Sequence, residues 1–215
     1  MKINDDRSLK IAQYLLQIKA IKLNLQKPFT WASGWKSPIY CDNRKTLSYP
    51  VIRTYIRQQF CQVINEEFSK PEVIAAVATG AIAMGALVAQ DLGLPFVYVR
   101  SSAKDHGLEN AIEGVIESGQ SVVVIEDLIS TGASSLKAVE ILRKAGCDVK
   151  GMASIFTYGF PQAVDSFKKA KVKLCPLSDY NYLLKHALES NFIREAELAP
   201  LAEWREAPEL WGIKK

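Results

Sequence analysis

The 215-residue sequence is poor in the side chains that hold structural metals or build disulfide frameworks, with four cysteines and two histidines. Cys41, Cys61, Cys147 and Cys175 are widely scattered, and neither they nor His106 and His186 form the close pairs of a zinc or dithiol redox motif. Thiols spread in this way are expected to stay reduced, which points to a cytoplasmic protein. Long hydrophobic runs are also missing. The most apolar stretch, 73–89, is rich in Ala, is interrupted by Thr79-Gly80 and Gly85, and falls short of a spanning helix. The polar start, Met1 to Ser8, has no apolar signal core. No membrane association is therefore expected. Charge of one sign is not concentrated either: 27 Lys and Arg against 23 Asp and Glu give a formal +4, with no basic stripe. That balance argues against a nucleic-acid partner and leaves a small anionic ligand open. There is no Gly-x-Gly-x-x-Gly of a dinucleotide fold and no Gly-Lys-Ser/Thr of a nucleoside triphosphatase loop. Internal repeats and low-complexity segments are absent.

What is present is a regular alternation. Four short apolar runs, Val73–Ala78, Phe96–Val99, Ser121–Ile125 and Met152–Phe156, are separated by helical patterns, notably Ile82–Asp91 and Ser134–Ala145. Apolar strands alternating with helices predict an α/β fold with a mostly parallel central sheet flanked by helices. Before this region, Leu9–Ile21 carries a helical stripe that Ser8 could cap, and a second helix is expected after Pro50 with Ile52, Ile56, Phe60, Val63 and Ile64 inward. Pro28 to Asp42, with Gly, Pro and aromatics, reads as short strands and turns. Between Arg100 and Gly119 the pattern breaks into a polar loop, followed by a strand segment at 112–117 and a tight turn at 118–120. Long polar loops in compact domains are often functional. The tail from Ala199, with Trp204 and Trp211, carries no legible chemistry.

The densest chemical signal is Val122-Val-Val-Ile-Glu-Asp-Leu-Ile-Ser-Thr-Gly-Ala-Ser-Ser135. An apolar strand delivers Glu126 and Asp127 to its carboxyl edge, where open α/β sheets bind ligands. A Ser/Thr/Gly run then opens a helix, whose first N–H groups and dipole favour an anion. Ser130, Thr131, Ser134 and Ser135 add hydroxyl donors, and Gly132 permits close backbone approach to a phosphate. Carboxylates beside a phosphate cradle make sense if they accept hydrogen bonds from sugar hydroxyls, so the expected ligand is a sugar 5-phosphate. The bland alternative is a strand end followed by a helix capped by Ser130 or Thr131.

This segment resembles the phosphoribosyl diphosphate (PRPP) signature of the type I phosphoribosyltransferases. Phe29-Thr-Trp-Ala-Ser-Gly-Trp-Lys-Ser-Pro-Ile-Tyr-Cys-Asp-Asn-Arg44 resembles the N-terminal hood of the members that act on orotate, and Arg100-Ser-Ser-Ala-Lys-Asp-His106 resembles their mobile catalytic loop. The resemblance implies a single phosphoribosyltransferase domain over 1–215, with a hood at roughly 22–48 plus part of the C-terminal region and a core at roughly 50–175. It implies transfer of phosphoribose from PRPP to orotate, with Mg²⁺ as cofactor held mainly through substrate oxygens and water rather than by protein ligands. Lys104, His106 and Asp127 are the implied catalytic residues. PRPP would be held by Arg100, Lys104, His106, Glu126, Asp127 and the run Leu128, Ile129, Ser130, Thr131, Gly132, Ala133 and Ser134. Orotate would meet Ser130, Tyr40 and Cys41. A homodimer is implied, with the 101–114 loop reaching the neighbouring site. The sequence departs from the common family pattern at Ala32, Ser101 and around Thr157-Tyr158, where many members carry a basic residue. A purine phosphoribosyltransferase would share the sugar-phosphate motif without the hood. A PRPP-sensing regulator on this fold would need an added nucleic-acid-binding domain, for which about twenty-five residues before the hood are too few.

Overall fold

The computed structural model describes residues 5–100 and 111–212. Helix α1, Asp5–Gln17, opens on two acids that suit the positive end of its dipole and buries Ile11, Ala12, Leu15 and Leu16. It starts earlier than the apolar stripe suggests. Ser8 lies inside the helix, and its hydroxyl donates to the Leu177 carbonyl at 2.9 Å, so a long-range hydrogen bond replaces the expected cap. The predicted helix end also shifts, because Ile21 already belongs to a strand.

That strand, β1 (Ile21–Leu23), pairs antiparallel with β4 (Ile39–Cys41), and between them β2 (Phe29–Thr30) pairs with β3 (Lys36–Ser37). A 3-10 turn over Asn43–Ser48 leads into α2 (Pro50–Glu67), which has Pro at its first position and buries the five expected residues. Then follow β5 (Val73–Val77), α3 (Ile82–Leu92), β6 (Phe96–Val99), β7 (Ile112–Glu113), β8 (Ser121–Ile129), α4 (Ala133–Lys144), β9 (Asp148–Thr157), α5 (Pro161–Lys169), β10 (Leu174–Asp179), α6 (Tyr180–Glu189) and α7 (Leu198–Glu206).

The main sheet has the order β10-β9-β8-β5-β6-β7, parallel throughout except for the antiparallel edge β7. Val73–Val77 and Ser121–Glu126 are buried without interruption, as strands covered on both faces require. Pro176 is tolerated because β10 is an edge strand. The order also fixes where a ligand can sit. The chain runs from β5 outward to β6, then returns to place β8 on the other side of β5 and continues to β9. Right-handed crossovers in opposite directions put α3 and α4 on opposite faces, which opens a crevice between the carboxyl ends of β5 and β8.

Two strand expectations change. Strand β8 runs four residues beyond Ile125 and carries both acids within it, because β9 continues to pair with it as far as Thr157. The segment at 112–117 pairs with β6 only over Ile112–Glu113. The C-terminal helix, mute in the sequence, supplies Trp204. It is fully buried and packs against Trp31, Tyr158, Phe160 and Tyr180 with ring centroids 5.2–5.8 Å away.

Candidate active site

The two acids of β8 have different surroundings, since adjacent residues on a strand point to opposite faces. Glu126 is 5% exposed. Its Oε1 accepts from the Asp127 amide at 3.0 Å and its Oε2 accepts from the Ser135 hydroxyl at 2.8 Å. Burial pushes its pKa up to about 8, and the adjoining Asp127 charge adds to the rise. Asp127 is half-buried and faces the other wall of the crevice, the turn after β5. There Gly80 leaves the space that the carboxylate occupies, because a Cβ on Gly80 would lie 2.5 Å from Asp127 Oδ2. Burial raises the Asp127 pKa as well, opposed by its hydrogen bond with Glu126 and by the Arg44 charge.

Beyond the acids, Leu128 and Ile129 finish the strand, and the Tyr158 amide donates to the Ile129 carbonyl at 3.1 Å. Ser130 and Thr131 are half-exposed, Gly132 is the N-terminal boundary of α4, and Ala133 and Ser134 are exposed on its first turn. Gly132 is the N-cap, so neither Ser130 nor Thr131 caps this helix, and among the described residues no side-chain cap hydrogen bond is made at its start. Gly132 is required for two local reasons: its φ is +81°, and a Cβ there would come within 2.8 Å of the Phe167 ring. Ser135 was expected among the anion donors, but its buried hydroxyl is turned inward to Glu126.

The small sheets bring Tyr40 and Cys41 to the same region. Tyr40 is 40% exposed and lies against Phe29, with ring centroids 5.7 Å apart. The Cys41 thiol donates to Asn43 Oδ1 at 3.1 Å, and burial together with the Asp127 and Asp42 charges pushes its pKa well up. Asn43 Nδ2 in turn donates to the Asp127 carbonyl at 2.7 Å. The next residue, Arg44, is anchored by Asp42 at 2.7 Å. Tyr158 lies in the aromatic cluster with Trp31, Phe160 and Trp204. Arg100 follows β6 and pairs with Glu113 of β7 at 3.2 Å. Lys104 and His106 lie outside the described residues.

The structure links Cys41 to Asp127 through Asn43 and carries Glu126 and Asp127 into the turn 128–134; Gly80, Asn43 and Arg44 beside Asp127, and the inward hydroxyl of Ser135, are neighbours that sequence reasoning did not single out. A Thr-Gly pair directly after an apolar strand could have pointed to Gly80. Nothing local marks Asn43, whose partner is 84 residues away.

A parallel sheet with a crevice at its switch point, paired acids and a bare helix start define a class of proteins that grip phosphorylated sugars. Residues 51–181, more than half of the chain, match the phosphoribosyl transferase domain family. The orotate phosphoribosyltransferase of Porphyromonas gingivalis is 60% identical over 203 residues, covering 94% of this chain and 97% of that protein. Among solved structures, the orotate phosphoribosyltransferase of Aeropyrum pernix matches with a TM-score of 0.73 at 26% identity, over 86% of this chain and 99% of that one. The UMP synthase of Leishmania donovani matches with a TM-score of 0.76 at 27% identity, over 92% of this chain and 42% of that larger one. The chain belongs to the orotate phosphoribosyltransferases.

Proposed function

We infer that this protein is an enzyme that transfers the phosphoribosyl group of PRPP to orotate, giving orotidine 5′-phosphate and diphosphate in UMP synthesis. The observation that carries this reading is the 60% identity, over 94% of the chain, to an orotate phosphoribosyltransferase, on a chain whose strand β8 carries Asp127 and runs straight into the turn that opens α4.

In this reading the 5-phosphate lies on the first turn of α4, held by backbone N–H groups and by the hydroxyls of Ser130, Thr131 and Ser134. Asp127 accepts hydrogen bonds from the ribose hydroxyls, while Glu126, tied to the Asp127 amide and to Ser135, holds the strand end that presents it. Orotate lies against Tyr40, Cys41 and Ser130. The bond from ribose C1 to the diphosphate oxygen breaks as the bond to the orotate ring nitrogen forms, so positive charge grows at the sugar and negative charge on the leaving group. Arg100, Lys104 and His106 neutralise the leaving diphosphate, the last two from the 101–114 loop of a partner subunit in a homodimer. Closing the crevice excludes water, whose attack on C1 is the competing loss.

Among the described residues no three His, Cys, Asp or Glu side chains converge to cage a metal. The crevice offers instead the half-buried carboxylate of Asp127, a donor set that suits Mg²⁺ arriving with substrate oxygens and water. Bound there, Mg²⁺ would neutralise charge on the diphosphate. No described helix is long and apolar enough to cross a membrane, and we place the enzyme in the cytoplasm on its free, scattered thiols.

Loss of orotate absorbance with PRPP and Mg²⁺, run beside adenine, hypoxanthine and uracil, tests the reading. Orotate alone should be consumed; turnover of a purine in its place would overturn it.

A further inference from the structure

Strand β5 pairs with β8 only as far as Ile125, so the last four residues of β8 run on without a strand pairing on that side. Backbone groups buried there need another partner. Asn43 supplies it from the 3-10 turn of the hood: it is 1% exposed, and its Nδ2 donates to the Asp127 carbonyl at 2.7 Å. The other end of the same amide accepts from the Cys41 thiol at 3.1 Å, and the Asn43 carbonyl accepts from the Thr46 hydroxyl at 2.7 Å. That last bond is to the backbone; both ends of the side-chain amide are engaged, and a single planar amide spans from the Tyr40–Cys41 strand to the residue bearing the half-buried acid.

We propose that Asn43 is a positioning residue that couples the acceptor-base side of the crevice to the sugar-binding carboxylate, by fixing the Asp127 peptide to strand β4 through Cys41. The proposal rests on the reading that orotate meets Tyr40 and Cys41 while Asp127 meets the ribose. The amide cannot flip without losing its bond to the Asp127 carbonyl, because a carbonyl can only accept. Displacing β4 therefore displaces Asp127. No ligand needs to touch Asn43 for this to operate.

The test is a binding cycle with PRPP and Mg²⁺, measured by calorimetry on the full-length protein as wild type, Asn43→Ala, Asp127→Asn and the double variant, with melting curves alongside. Loss of one buried hydrogen bond should weaken PRPP binding by about tenfold in the wild-type background. It should do little more in the Asp127→Asn background, where the positioned group no longer accepts as a carboxylate. Equal losses in both backgrounds would overturn the coupling and leave Asn43 a folding residue. If Asn43→Ala does not fold, Cys41→Ala replaces it, since it removes only the thiol that holds Oδ1. It should weaken PRPP binding in the wild-type background and not with Asp127→Asn, and an equal effect in both again refutes the proposal. Wild-type protein that neither binds PRPP nor consumes orotate would instead refute the functional reading beneath it.

Discussion

Replacing Glu126 by Gln isolates the consequence of burying an acid beside another acid. Gln fills the same space; its Oε1 can still accept from the Asp127 amide, and its Nε2 can donate to the Ser135 hydroxyl, so both contacts of Glu126 have counterparts. The ionisable proton is what disappears. Burial and the Asp127 charge raise the Glu126 pKa from an ordinary 4.5 to about 8. The native protein therefore keeps a proton on Glu126 at pH values where the unfolded chain has lost it. The stability this group contributes is full below about pH 4.5, declines as pH climbs through that window, and is gone once pH passes about 8. At about 1.4 kcal/mol per tenfold change in proton affinity, the full window corresponds to on the order of 5 kcal/mol. Asp127, also raised by burial, adds a slope of the same sign in both proteins, so the informative quantity is the difference between them. Denaturant midpoints should separate as pH rises from about 5 to about 9, with Glu126→Gln the more stable at the alkaline end. Midpoints that keep a constant separation across that range would show that Glu126 is not held protonated, and the account of its environment would be wrong.

Gly80→Ala places a methyl carbon where the Asp127 carboxylate now rests, so kcat/KM with PRPP should fall by about tenfold or more while the melting temperature changes little; unaltered kinetics would remove Asp127 from the crevice wall. Trp204→Ala empties the centre of the aromatic cluster and should cost about 3–5 kcal/mol in denaturant unfolding, with weakened binding of orotate because Trp31 loses its support. Lys104→Ala and Asp127→Asn should each be nearly inactive, and mixing them should restore a measurable fraction of turnover if loops are exchanged across a dimer. No recovery in verified mixed dimers would place each loop over its own subunit.

The amino-acid sequence by itself determined the sheet and its chemistry-bearing edge. Uninterrupted runs such as Val73–Val77 and Ser121–Ile125, too short for helices and alternating with helical patterns, read as buried parallel strands, and two acids followed by a Ser/Thr/Gly run read as a strand-to-helix turn. These signals are local, so periodicity and composition suffice to read them. Strand β10 was less legible because Pro176 and two polar residues blur its pattern at a sheet edge, and α7 because Trp204 carries meaning only against Trp31, Tyr158 and Phe160.

Only the tertiary structure divided the roles of the two acids. Alternation along a strand turns Glu126 into the protein toward Ser135 and Asp127 outward against Gly80, and which face is which depends on the strand order. It also decided that the hood is tied to the carboxyl edge of β8 through Asn43, since β8 outruns β5 and leaves a backbone carbonyl for a distant side chain to satisfy. Such a bond links residues far apart in the chain, and its physical cause is a mismatch of strand lengths that no local pattern records.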